Sequence, residues 1–242
     1  VTERIEIPMA ATSGDGGPLP VDLARPSGDP RGAVVVVQEA FGVNDHIRSL
    51  CDRLAADGWA AYAPHLFHRQ GSPELDYEDM AAVMEVFKSV HVDGIRADID
   101  ATLALLATEG FERAQTGLIG FCMGGTIALW AAATYELGAC VTFYGSGITE
   151  ARFGLPSGLD SGARLRSPWL GLYGDQDRGI PTEQVEQLRS VVAGASVPTA
   201  IVRYPEAAHG FNCDARAAYH AESASDAWSR MLGWLGQNAS MS

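Results

Sequence analysis

The sequence predicts an α/β fold in which a mostly parallel central sheet carries helices on both faces, as a single domain over residues 1–242. Two observations predict it. Short apolar runs alternate with amphipathic segments along the chain, the signature of repeated strand–helix units. The run AVVVVQ at residues 33–38 is continuous and β-branched rather than alternating, as expected for a strand buried on both faces of a parallel sheet. The composition agrees: 242 residues, 47% hydrophobic and 19% charged, with a mean hydropathy near zero, supply enough apolar mass for one sizeable core.

The first strand, at residues 33–38, is followed by Ile47, Leu50, Cys51 and Leu54 at helical spacing. A second strand spans residues 59–63 and is ended by Pro64. An acidic, loop-like stretch at residues 70–79 runs into helical periodicity through Met84 and Phe87, and a further helix covers residues 93–106. A strand at residues 116–120, a helix at 124–135 and a strand at 139–144 come next. A strand at residues 169–173 leads into a helix after Pro181; residues 201–204 form the last strand and 223–235 the closing helix. No internal repeat or low-complexity linker interrupts the pattern. The Gly/Ser/Pro-rich piece at residues 145–167 reads as a long loop at the carboxyl edge of the sheet, where ligands bind in open α/β folds.

Charge narrows the range of partners. With 17 basic and 30 acidic residues the net charge is −13, which repels phosphate backbones and anionic lipid, so neither a nucleic-acid nor a membrane partner is expected. The opening VTERIEIPMA carries charges where an export signal needs an apolar core, which points to a cytoplasmic protein. Cys51, Cys122, Cys140 and Cys213 lack CxxC or zinc-ligand spacing and suit reduced thiols. Residues 117–135 are uncharged and long enough to cross a bilayer. Four glycines crowd the first half, however, and a membrane span would rob the sheet of its central strand, so a strand followed by a helix is expected instead.

The chemistry concentrates in GLIGFCMGGTIALW, residues 117–130. Gly120-Phe121-Cys122-Met123-Gly124 fits G-x-nucleophile-x-G, with cysteine in the usual serine position, a strand before it and a helix after it. Such an elbow holds its nucleophile at a helix N-terminus, where the dipole favours a thiolate and a developing oxyanion. The alternative is an inert buried cysteine. A nucleophile needs a base and a group to orient it, in the chain order nucleophile, acid, histidine. GDQDRGIP supplies Asp177, with Asp175 as its rival; Asp175 directly follows the turn glycine and suits a turn or cap. YPEAAHGFN supplies His209 after the last strand, whereas His46, His65, His68, His91 and His220 fall in earlier elements or on the final helix. Glu39, at the end of the first apolar strand, is expected to face the same site; the alternative is a solvated strand-end charge.

With these residues in view, the chain resembles the dienelactone hydrolase (carboxymethylenebutenolidase) family over nearly its whole length. QEAFGVNDHIRSLCDRLAADGWAAYAP, GFCMGG, GDQDRGIP and YPEAAHGF look like its successive signatures. The resemblance implies an α/β-hydrolase fold without a large cap and a triad matching Cys122, Asp177 and His209. It also implies a glutamate matching Glu39 that holds the resting thiol, an oxyanion hole matching the backbone N–H groups of Met123 and Ala40, and no metal or cofactor. The expected partner is a small ester or lactone cleaved through an acyl-enzyme, and the expected state a monomer or weak homodimer. Tyr144, Arg69, Phe41 and Cys213 are candidates for lining the substrate pocket. One departure stands out. The family binds a substrate carboxylate with two arginines, one of them four residues after the catalytic histidine; that position is Cys213, and the other falls near ELDYED at residues 74–79, which has no basic residue. Arg69 and Arg216 are placed to reach the pocket from nearby, although a surface salt bridge or a solvated side chain is the simpler expectation for each. Two further readings stay open: a receptor that uses the same pocket with little or no turnover, and a redox-sensing thiol with Cys213 as its resolving partner.

Overall fold

A computed structural model describes residues 2–9 and 17–241. Its eight strands form one sheet: β1 (Glu3–Ile7), β2 (Leu19–Ala24), β3 (Ala33–Val37), β4 (Ala60–Pro64), β5 (Thr116–Phe121), β6 (Ala139–Phe143), β7 (Trp169–Gly174) and β8 (Thr199–Tyr204). The order is β1-β2-β4-β3-β5-β6-β7-β8. The strands from β3 to β8 run parallel, and β2 pairs antiparallel with β1 and β4. All five residues of β3 and all six of β5 are buried, as their unbroken apolar or glycine-rich runs require of strands covered on both faces.

The helices are α1 (Asp45–Ala56), α2 (Met80–Phe87), α3 (Val92–Thr108), α4 (Met123–Thr134), α5 (Gly158–Gly162), α6 (Thr182–Val192) and α7 (Ala221–Asn238). Each of the first two is started by a side chain that satisfies an orphan N–H: Asn44 accepts from Ile47 at 3.2 Å and Asp79 from Ala82 at 2.9 Å. Helix α4 is buried on every side, so it has no amphipathic stripe. The uncharged stretch 117–135 divides into β5 and α4, and among the described residues no helix is long and apolar enough to cross a membrane.

Three elements depart from the sequence expectation. Within residues 145–167, read above as loop, Ser157 caps α5 by accepting from Asp160 N at 3.1 Å. Strands β1 and β2 were not anticipated. ERIEI is a charged edge strand, and LPVDLA places a proline and an acid inside an apolar run, so neither shows the signal of a buried parallel strand. Tertiary partners compensate: buried Asp22 on β2 receives a two-pronged contact from Arg4 on β1 (2.7 and 3.1 Å), with His65 Nε2 at 3.4 Å.

Burial alone would raise the Asp22 pKa, but the nearby His65 imidazole and the Arg4 hydrogen bonds outweigh it and hold the carboxyl well below its ordinary 3.8. On acidification the unfolded chain therefore takes up this proton first; the stabilisation is complete above 3.8 and drains away as the pH falls further. Asp22→Asn should cost about 1–3 kcal/mol at neutral pH. Urea unfolding should show that deficit shrinking below about pH 4; a deficit independent of pH would contradict the assigned ion pairing.

Candidate active site

Strand β5 ends at Phe121 and α4 begins at Met123, leaving Cys122 alone to turn the chain at φ +53° and ψ −113°. A cysteine tolerates this strained conformation only where its surroundings impose it, and the flanking glycines are those surroundings. A Cβ on Gly120 would fall 1.9 Å from the Gly124 carbonyl oxygen, and one on Gly124 would fall 2.3 Å from that of Val37. A Cβ on Gly125 would meet the Phe143 carbonyl oxygen at 2.5 Å. The helix thus starts wedged between the carboxyl ends of β3 and β6. Met123 is its first residue, with an N–H that has no acceptor within the helix, and Ala40 lies just past the end of β3.

The loop after β8 presents His209, whose Nδ1 lies 2.6 Å from Asp177 Oδ2. Asp177 comes from the loop after β7, and its other oxygen accepts from Gly179 N at 2.8 Å. Asp175 is occupied elsewhere, in a fork with Arg203 at 2.7 and 2.9 Å. The Cys122 thiol bears on the His209 imidazole. Burial alone would lower the His209 pKa, but the hydrogen bond to Asp177 and the interaction with Cys122 prevail and raise it to about 10. Cys122 itself is partly exposed.

Glu39 is 1% exposed, and neither carboxyl oxygen has a hydrogen-bond partner. Burial raises its pKa; Arg216, His209 and Tyr144 pull against that rise. Tyr144 turns out of β6 at φ +39° and brings its ring 5.1 Å from that of His209. Its hydroxyl faces Glu39 without a hydrogen bond between them. The Arg216 guanidinium lies 3.9 Å from Glu39 and over the rings of Phe41 (5.4 Å) and Tyr77 (5.7 Å). A Cβ on Gly210 would strike Arg216 Nη1 at 2.3 Å, so the residue after His209 makes room for this side chain.

The pocket candidates are distributed unevenly. Phe41 and Tyr144 join the cluster around Glu39. Cys213 is buried and donates its thiol to the Tyr77 hydroxyl at 3.4 Å. Arg69 is not brought to this cavity; it grips Asp98 with contacts of 2.9 and 2.8 Å and lines a separate depression with Leu66 and Gly94. Arg216, expected at the surface, enters the site instead, because the turns between His209 and α7 fold it back over Phe41. No periodicity could have revealed that. Above Cys122 opens a cavity of about 340 Å³ whose walls are mainly Met84 and Phe87 of α2, Met123, and Phe153, with Lys88, Ser146 and Arg152 among the remaining lining residues. The apolar character of α2 was legible in the sequence, but its role as a pocket wall was not. Among the described residues, side chains at metal-ligand spacing occur at His46, Cys213 and Asp214, outside the Cys122–His209–Asp177 array.

The sheet order, the elbow after its central strand and the imidazole reaching in from the loop after β8 define a protein of α/β-hydrolase fold. Residues 19–239 match the model of the dienelactone hydrolase family. A Yersinia pestis protein named "Putative carboxymethylenebutenolidase" is 41% identical over 228 residues, covering 92% of this chain and 85% of its own. An Escherichia coli K12 protein of the same name is 40% identical, covering 92% and 83%. A crystal structure from Klebsiella pneumoniae, titled as that of a "Putative Dienelactone Hydrolase", superimposes with a TM-score of 0.87 at 39% identity, over 98% of both chains. The chain belongs to the dienelactone hydrolase family, and it is a hydrolase.

Two measurements probe this geometry. Gly120→Ala should lower stability by about 3 kcal/mol or more, since the obstructing atom is backbone and cannot rotate away; thermal unfolding reads it, and an unperturbed midpoint would contradict the close crossing. Asp177→Asn should lower the His209 pKa by roughly one unit or more, measured by NMR titration of the imidazole, whereas Asp175→Asn should leave it unmoved.

Proposed function

We propose that this protein is a thiol-dependent hydrolase of a small, activated, uncharged ester or lactone. One observation carries the reading: Asp177, His209 and Cys122 are aligned at an elbow that opens into a largely apolar cavity. The raised pKa of His209 favours an imidazolium beside the nucleophile. The buried Glu39 carboxylate, made more basic by its surroundings, takes the proton of the resting thiol as substrate enters, leaving a thiolate facing that imidazolium.

The thiolate attacks the carbonyl carbon, and the carbonyl electrons move onto oxygen, where the Met123 and Ala40 N–H groups receive them. Collapse of the tetrahedral species forms a thioester and breaks the bond to the leaving oxygen, which takes its proton from His209. Neutral His209 then removes a proton from water as the water attacks the thioester, and expulsion of the acid restores thiolate and imidazolium. A thiolate leaves its own tetrahedral intermediate readily, so the forward step needs a good leaving group such as an enolate or phenolate.

Substrate charge follows from where the cations are committed. Arg216 faces Glu39, Lys88 pairs with Glu85 and Arg152 lies 3.7 Å from Glu150. A substrate carboxylate would lose its water without a dedicated bidentate partner. The walls of Met84, Phe87 and Phe153 instead suit an apolar substituent.

Activated-ester hydrolysis should vanish in Cys122→Ala and after one equivalent of iodoacetamide, and it should survive Cys140→Ala; ester turnover unchanged by Cys122→Ala would place the chemistry elsewhere. A product burst of one enzyme equivalent with nothing after it would identify a receptor rather than a catalyst. For a matched pair, kcat/KM on the methyl ester should exceed that on the free acid by roughly tenfold or more. Preference for the acid would mean that Arg216 leaves Glu39 to bind the substrate.

A further inference from the structure

Buried His46, in the first turn of α1, presents an anomaly. Its side chain is 3% exposed, yet neither ring nitrogen has a hydrogen-bond partner. An imidazole withdrawn from water with both nitrogens unsatisfied is costly, and such groups call for a specific explanation. Opposite it, in the loop between β8 and α7, stand the Cys213 sulfur and the Asp214 carboxylate. The three donor atoms lie within 4.8 Å of one another, with His46 Nδ1 3.7 Å from Asp214 Oδ1. Ligand atoms around a tetrahedral zinc ion, with bonds of about 2.0–2.3 Å, sit about 3.3–3.6 Å apart. The observed spacing needs only a small closure, and Asp214, 76% exposed at its side chain, is free to supply it.

We propose that His46, Cys213 and Asp214 form a binding site for one soft or borderline divalent cation of the Zn2+ class. Each ligand contributes to that choice. Sulfur and imidazole favour Zn2+ over Mg2+ or Ca2+, which take oxygen donors. Three protein ligands leave a fourth position for water, and exposed Asp214 marks the route of entry. Binding releases the Cys213 proton to solvent, so thiolate and carboxylate together balance the charge of the ion. Arg53 and Arg216 are the cations that bear on His46, and they weaken the site without occupying it. The Cys213 thiol must also give up its long contact to Tyr77.

The site shares no residue with Cys122, His209 and Asp177, and its existence does not depend on the proposed hydrolysis. Its position gives it a consequence nonetheless. The loop that carries Cys213 and Asp214 also carries His209 and Arg216, so a bound ion would pin that loop to the N-terminus of α1.

The test uses the full chain carrying Cys122→Ala, so that the reactive thiol cannot compete for metal. Titration with Co2+ should give one equivalent bound, with a near-ultraviolet thiolate-to-cobalt charge-transfer band and the intense visible bands of four-coordination; Zn2+ should displace it and Mg2+ should not. The charge-transfer band should be lost in Cys213→Ser. Zn2+ should raise the melting temperature of the Cys122→Ala protein, and the solvent-facing change Asp214→Asn, which leaves the core untouched, should weaken Zn2+ binding at least tenfold and remove that rise. Absence of a charge-transfer band, a band that survives Cys213→Ser, or equal Zn2+ affinity with and without Asp214→Asn would each overturn the proposal.

Discussion

The backbone crossing at the Cys122 elbow sets the geometry of everything around it. Gly120 and Gly124 approach so closely that a Cβ on the first would overlap the carbonyl oxygen of the second, and the same helix start is pressed against the ends of β3 and β6. That packing forces Cys122 to φ +53°, projects its sulfur above the sheet, and brings the first N–H of α4 towards the turn after β3 that carries Glu39 and Ala40. Strain at one residue is sustained because three strands and a helix, all buried, over-determine it. A looser crossing would relieve the strain at Cys122 and let it relax into the helix.

Around this rigid centre the polar groups are sorted by their partners. Asp177 and Asp175 lie two residues apart on one turn, yet one meets His209 at 2.6 Å while the other is locked by Arg203. The Arg203 fork consumes the charge of the second acid, and Gly179 steadies the first. Glu39 is treated in the opposite way. It is buried beside Arg216 and Tyr144 without a hydrogen bond from either, so its proton affinity rises. An unsatisfied carboxylate is a stability liability, and liabilities of this kind concentrate where chemistry needs a group ready to accept a proton.

The cavity walls come from helices and a loop rather than from the sheet. Helix α2 offers Met84 and Phe87, and the loop before α5 offers Phe153, whose ring meets Phe87 edge to face at 5.0 Å. Met80 and Met84 remain more than half exposed on the same helix. Of these two, Met84 lines the cavity, and a flexible thioether there can adapt to neighbours of differing shape.

Local patterns were enough to read much of this molecule. Periodicity disclosed the parallel strands and most of the helices, because burial on both faces leaves unbroken apolar runs and a single buried helix face leaves a 3.6-residue repeat. The glycine spacing around Cys122, and the loops holding Asp177 and His209, were legible because an elbow needs side-chain-free neighbours and because the fold orders its functional loops along the chain. Strands β1 and β2 and the short α5 escaped, since an edge strand, a strand with a buried ion pair and a single capped turn leave no periodic trace. The choice of Asp177 over Asp175 rested on a turn argument in the sequence; in three dimensions it rests on Arg203, a residue 28 positions from Asp175. Arg69 and Arg216 were indistinguishable by position and parted company in space, one onto Asp98 and the other over Phe41. Side-chain pairing across distant loops depends on how the turns between them fold back, and that information is carried by the packed chain as a whole rather than by any window of it.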